Sequence, residues 1–319
     1  MSTLHPEGYH GDRARAGFFE GWYNKVVSAD GAHRWAVIPG IALGDDEAFV
    51  QLLDGTTGKA WYQRYDRSEF RARADRYDVT VGPNRFTASG MVLDVPEAGL
   101  RGEIRYTGPL DPWPVRLWAP GAMGWYAWVP FLECYHGILS FGHGLSGTLE
   151  HDGGTLDFDG GRGYLEKDWG RAFPSAYVWM QTNHFTTPAT CLSASIAMIP
   201  WLRAEFRGFI VAVRHDGHLY RFATHTGART TSLEVDERHV DWTLRSRRGH
   251  TLTIHAERRR GGILQAPAAG QMRRQVEESL DATAHVRLTD RHDRVLLDDT
   301  GSHAGLELFG DLPRLLAAR

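Results

Sequence analysis

The segment Tyr164-Leu165-Glu166-Lys167-Asp168-Trp169-Gly170 sets three ionisable side chains in a row among aromatic ones. On a strand, alternate residues share a face, so Glu166 and Asp168 point one way and Lys167 the other. If the acidic face is buried, two carboxylates share a proton and one becomes a usable acid; if it is exposed, they are merely solvated. Lysine occurs only at Lys25, Lys59 and Lys167 in a chain rich in arginine. A compact amine kept at 167 offers a shifted pKa, or else a structural pair with a glutamate. In Phe18-Phe19-Glu20-Gly21-Trp22-Tyr23 a single carboxylate is surrounded by rings. Apolar walls would keep Glu20 protonated near neutral pH, and an ion pair on a strand is the structural alternative. Tyr177, Trp179, Gln181, Asn183 and Phe185 alternate along one predicted strand. Their rings and amides suit a ligand with a polar head and an apolar tail, or the amides serve neighbouring strands. Glu133 and His136 read as an acid/base pair at a cavity mouth, or His136 as a core histidine.

Other patterns lead nowhere. Gly142-His143-Gly144-Leu145-Ser146-Gly147 has dinucleotide-loop spacing but leads into a strand and turn, not the helix that would hold a pyrophosphate. Arg258, Arg259 and Arg260 form a solvated turn, and His215 and His218 have no third ligand at a recognisable spacing. Cys134 and Cys191 are the only cysteines, too few for a zinc ribbon or a disulfide framework. A metal cofactor is therefore not expected. Lys+Arg of 36 against Asp+Glu of 39 gives a net charge of −3, which argues against a nucleic-acid partner.

The elements that must position these residues are strands. Trp35–Ile41, Ala48–Leu53, Lys59–Tyr65, Tyr77–Val81, Phe86–Val95 and Leu100–Thr107 alternate in the first half. Phe209–Arg214 and His218–Thr224 flank Asp216-Gly217 in the second, where Val240, Trp242 and Leu244 also face Leu252, Ile254 and Ala256 across a turn. Helices are expected only at Gln271–Leu280, from charges at i, i+4 spacing, and at Asp311–Ala318. Gly108 to Gly124, with four prolines, reads as a long crossing loop lining an opening. The Glu20–Lys25 segment and the Glu166–Gly170 segment each precede a strand, a faint echo that suggests two similar β units. The fold class is all-β. Met1 to His10 shows no signal pattern and no apolar run spans a bilayer, so a soluble cytoplasmic protein, peripheral to a membrane at most, is expected.

Gly8-Tyr9-His10 with Phe18-Phe19-Glu20-Gly21-Trp22-Tyr23 and Lys25 resembles the N-terminal motif of the tocopherol cyclase family. Glu166-Lys167, Trp169-Gly170, Phe173-Pro174, Trp179, Gln181, Asn183 and Phe185 resemble its central motif. Glu133, Gly144-Leu145 and Leu264 to Pro267 follow in order, so the likeness covers most of the chain. In the plant enzymes Asn stands where this chain has Asp168, and a larger aromatic where it has Asn24.

The resemblance implies two consecutive lipocalin-like (calycin) antiparallel β-barrel units with few short helices, divided at 1–160 and 161–319, related in fold to carotenoid hydratases. It also implies cofactor-free closure of a prenylated hydroquinone to a chromanol. An acid protonates the alkene, the phenol oxygen closes on the tertiary cation, and aromatic faces stabilise that cation. On this reading Glu20, Glu166, Lys167 and Asp168 are the catalytic candidates. Trp22, Tyr23, Glu133, His136, Trp169, Trp179, Gln181 and Asn183 are the substrate-binding ones. The expected partners are a small hydrophobic prenylated substrate and, transiently, a membrane surface. An alkene hydratase of similar fold and a non-catalytic isoprenoid carrier are the competing readings.

Overall fold

The computed structural model describes residues 2–11 and 17–318; Met1, residues 12–16 and Arg319 lie outside that description, and with them the middle of the segment joining His10 to Phe18. Twelve strands form the first sheet: Phe19–Val27 (β1), Arg34–Ala42 (β2), Glu47–Asp54 (β3), Ala60–Asp66 (β4), Phe70–Ala72 (β5), Asp78–Val81 (β6), Asn84–Thr87 (β7), Gly90–Val95 (β8), Leu100–Thr107 (β9), Cys134–His151 (β10), Gly154–Asp157 (β11) and Arg162–Gly170 (β12). Their order is β4-β3-β2-β1-β12-β10-β9-β8-β7-β6-β5, with β11 hairpinned onto β10. Ten more form the second: Ala176–Thr182 (β13), Cys191–Trp201 (β14), Ala204–His215 (β15), His218–Ala223 (β16), Arg229–Val235 (β17), His239–Arg245 (β18), Thr251–Glu257 (β19), Gly262–Ala268 (β20), Gln271–Thr289 (β21) and Val295–Gly310 (β22). That order is β16-β15-β14-β13-β22-β21-β19-β18-β17, with β20 on β21. A short helix, Leu312–Ala317 (α1), follows, capped by the Asp311 carboxylate.

The all-β, lipocalin-like class stands, and barrel closure is not detected among the described residues. Among the described pairings none joins β4 to β5 or β16 to β17. The first sheet instead curls until β6 lies against β2 and β3. It wraps a core that includes Trp22, Val37, Val50, Phe86, Leu93 and Leu165. These side chains line the inner face of the sheet. Val178, Ile196, Val211, Trp242, Ile254 and Leu306 belong to the core of the second sheet.

The chain divides into one compact unit of 1–173 with 262–276 and another of 174–261 with 277–319. A division at 160/161 would cut β12 away from β1 and β10, which pair with it along its length. Residues 262–276 return to the first unit, where Gln51 and Gln265 exchange side-chain-to-backbone hydrogen bonds of 3.1 and 2.7 Å.

Three local expectations are corrected. Gln271–Leu280 is strand, not helix. Its buried Met272, Val276 and Leu280 recur every four residues, which suits a period of two as well as a helical turn. Phe86–Val95 is two strands, broken where Ala88 and Ser89 make the β7–β8 turn. The strand expected over Tyr177–Phe185 ends at Thr182, and Phe185 packs in the core with Val178 and Met180 rather than beside Trp179.

Candidate active site

β12 lies between β1 and β10, and the registers decide which side chains meet. Glu20 opposes Trp169 and Trp22 opposes Lys167 across the β1–β12 pair; His136 opposes Asp168 across the β10–β12 pair. Because strand side chains alternate, the two faces of this ribbon carry two different polar groups.

The inner face holds an ion pair. Glu20 and Lys167 have side chains 0% exposed, and the Lys167 ammonium contacts the Glu20 carboxylate directly. The backbone N–H of His10 donates to both Glu20 oxygens, at 3.1 and 2.9 Å, and His10 Nδ1 lies 3.1 Å from Oε1. Lys167 also donates to the Gly8 carbonyl and approaches His10 Nδ1 at 2.9 Å. Its Nζ sits 4.6 Å from the Trp22 ring centre and 4.9 Å from that of Trp169. Burial pulls this amine down to about 8, against the upward pull of Glu20. The Trp22 and Trp169 indoles, both substrate-binding candidates, thus lie against the Lys167 ammonium. His10 stacks on Trp169 at 4.3 Å, and Tyr135 stacks on the same indole at 5.6 Å.

The opposite face carries Tyr23, Glu166, Asp168 and His136. His136 Nδ1 is 3.0 Å from Asp168 Oδ1, and Nε2 is 3.8 Å from Glu166 Oε2. Glu166 also accepts a 2.5 Å hydrogen bond from the Tyr164 hydroxyl. Burial alone would lower the imidazole, but the charges of Asp168 and Glu166, with the Asp168 hydrogen bond, outweigh it and hold His136 up at about 9. It is an imidazolium at neutral pH. The side chains of His136 and Asp168 remain 14% and 23% exposed, whereas those of Glu20 and Lys167 are 0% exposed.

One donor atom from each of His136, Glu166 and Asp168 lies within 4.8 Å of the other two. The hydrogen bonds just described engage Nδ1 with Asp168 and Glu166 Oε2 with Tyr164.

The remaining candidates have other surroundings. Glu133 is half-buried; burial raises its carboxyl while Arg274 and Arg171 oppose the rise, and its charged neighbours are these guanidinium groups. Tyr23 is buried opposite Glu166. Trp179, Gln181 and Asn183 belong to the second unit and are buried there. Gln181 Nε2 lies 3.7 Å from Cys191 Sγ, and the edge of Trp179 fills the space over Gly305. Sequence reasoning placed His10 in a family motif but missed its contacts with Glu20 and Lys167, and it missed the role of Tyr164. Tyr164 was within reach of it, two residues before Glu166 on the same face; His10 approaches from a non-periodic segment and gives no spacing signal.

Residues 86–310 match the family described as tocopherol cyclase-like. The chain belongs to that family. This tocopherol cyclase-like chain is 23% identical to the probable tocopherol cyclase, chloroplastic, of Oryza sativa subsp. japonica, over 97% of its own length and 79% of the rice protein. It is 24% identical to the chloroplastic tocopherol cyclase of Zea mays over 74% of its length and 61% of the maize protein. Among solved structures it resembles CghA, with a TM-score of 0.59 at 11% identity over 92% of this chain and 89% of that one. Kievitone hydratase from Nectria haematococca gives a TM-score of 0.53 at 14% identity over 95% and 93%. At these identities the structural likenesses establish the fold.

Proposed function

We propose that this protein closes a prenylated hydroquinone, or a related prenyl alkene bearing its own hydroxyl, into a ring by acid catalysis without a redox cofactor. The observation that carries this reading is His136, a partly exposed imidazolium held between two carboxylates of the neighbouring strand. Asp168 fixes Nδ1, which leaves the Nε2 edge, beyond hydrogen-bond distance of Glu166, as the edge from which a proton leaves. That proton adds to the less substituted carbon of a trisubstituted alkene and leaves a tertiary cation on the other. The positive charge passes from ring to substrate and stays in the field of Asp168 and Glu166, which were already oriented for it. The phenol oxygen then forms a C–O bond to the tertiary carbon, and the phenolic proton returns to the neutral imidazole. No atom is gained or lost. Glu20 and Lys167 anchor β12 from the other face.

Family membership and the names of the two plant relatives support this chemistry. The partial exposure of His136 and Asp168 favours one second reading, in which water replaces the phenol and the alkene is hydrated. Incubating the protein with prenylated hydroquinones in deuterium oxide separates the outcomes. Cyclisation leaves one deuteron on carbon with no oxygen added, whereas hydration adds the elements of heavy water. Saturable binding with neither change would make the protein an isoprenoid carrier and overturn the proposal.

A further inference from the structure

Between β9 and β10 the chain runs through 108–133 without a named strand, and its ends are pinned to β10. Trp113 N–H donates to Ile138 O at 3.0 Å, Asp111 O accepts from Phe141 N–H at 2.8 Å, and the Tyr135 hydroxyl donates to Val129 O. Trp113 is buried, yet the segment beyond it turns outward. Six of the ten large hydrophobic side chains exposed among the described residues lie here: Val115, Leu117, Trp118, Trp125, Trp128 and Phe131. Leu117 and Trp118 are 66% and 70% exposed. A monomer in water rarely keeps such a patch without a use for it.

We propose that this segment docks the protein onto an anionic lipid surface. Indole rings favour the headgroup level of a bilayer, where an apolar body and an N–H are both accommodated. The charge pattern fits the same surface. In a chain of net charge −3, the stretch from Pro112 to Leu132 holds no acidic residue and a single charge, Arg116. The Arg116 guanidinium lies 5.9 Å over the Trp118 ring, so the cation sits beside the most exposed indole. The Trp128 N–H donates to Leu117 O at 2.9 Å and fixes two apolar corners of the patch, which lowers the ordering cost of insertion. Attachment is at the surface: among the described residues no helix is long and apolar enough to cross a membrane. The inference does not depend on the reaction proposed above.

The test is co-sedimentation of the full-length protein with vesicles of phosphatidylcholine alone and of phosphatidylcholine mixed with phosphatidylglycerol. The parent protein is expected to bind both, the anionic mixture more tightly. Leu117→Ser with Trp118→Ser should weaken partitioning by about tenfold or more, since both side chains leave water on docking. Arg116→Glu should keep binding to phosphatidylcholine and lose the gain from the anionic lipid. Both sites are exposed, and unchanged circular dichroism checks that the variants fold. Failure of the parent to bind either vesicle, or equal binding by the double variant, overturns the proposal. So does an Arg116→Glu protein that keeps the anionic preference. A dimer in sedimentation equilibrium that the double variant loses, with no vesicle binding, assigns the patch to a second copy of the chain and overturns it too. Vesicle binding is read without turnover, so these results leave the His136 chemistry to its own test.

Discussion

His136 Nδ1 lies 3.0 Å from Asp168 Oδ1 across the β10–β12 pair, and the register sets the two residues directly opposite each other. The carboxylate thereby decides the pH range over which the imidazole carries its proton. Asp168→Asn removes that charge and moves His136 from about 9 back toward its ordinary 6.5. The basic limb of kcat/KM against pH should move down with it, lowering turnover near pH 8 by up to about thirtyfold through the smaller protonated fraction. Substrate binding, measured by equilibrium dialysis, should survive. An unmoved basic limb would remove His136 from the chemistry.

The same raised pKa ties stability to pH. The folded value of about 9 stands above the 6.5 of an unfolded imidazole, so the unfolded state binds fewer protons in between. The stabilisation is whole below about pH 6.5 and is lost as pH rises through about 9, a total on the order of 3 kcal/mol. Urea unfolding across that window should show a fall in stability that His136→Gln lacks. Parallel curves for the two proteins would count against the coupling.

The opposed directions of Lys167 and the Glu166–Asp168 pair were legible in the sequence, because a strand's period of two needs no tertiary information. That both faces of β12 are occupied was not legible, since its place between β1 and β10 comes from pairings distant along the chain. Trp22 and Trp169 were expected to bind substrate; their indoles lie against the Lys167 ammonium, a contact that strand periodicity alone does not show. Asn183 and Phe185 continue the alternation of β13 on paper. The chain leaves the strand after Thr182, where the Thr182 hydroxyl bonds Ser302 O at 2.6 Å, and periodicity carries no sign of that exit.

Glu20 and Lys167 form a sealed pair, so removing one partner leaves the other as a buried charge with too few contacts. Glu20→Gln should cost about 3–5 kcal/mol in chemical denaturation, and adding Lys167→Met should recover much of the loss. The sign for Lys167 is opposite to that for His136. Its folded value of about 8 lies below the unfolded 10.5, so the unfolded state binds more protons over that interval and stability rises with pH across it. Glu20→Gln, which withdraws an upward pull on the amine, should extend the rising limb below pH 8. A double variant no more stable than Glu20→Gln alone would contradict the pairing.

Asn24 organises a third buried group, and its test separates core architecture from chemistry. Its Oδ1 accepts hydrogen bonds from Tyr77 at 2.8 Å and Tyr106 at 2.9 Å, while Nδ2 donates to Trp22 O and Val37 O at 3.1 and 3.0 Å. All four contacts are buried, and burial holds both phenols above their ordinary range, as neutral donors. Asn24→Leu strands two hydroxyls and two carbonyls in the core, at a cost of roughly 2–4 kcal/mol. Adding Tyr77→Phe and Tyr106→Phe removes the stranded hydroxyls and should return part of that stability, because an apolar pair costs less than a half-satisfied one. Thermal unfolding of the single and triple variants measures the recovery; additive losses would show that the three side chains are not one network.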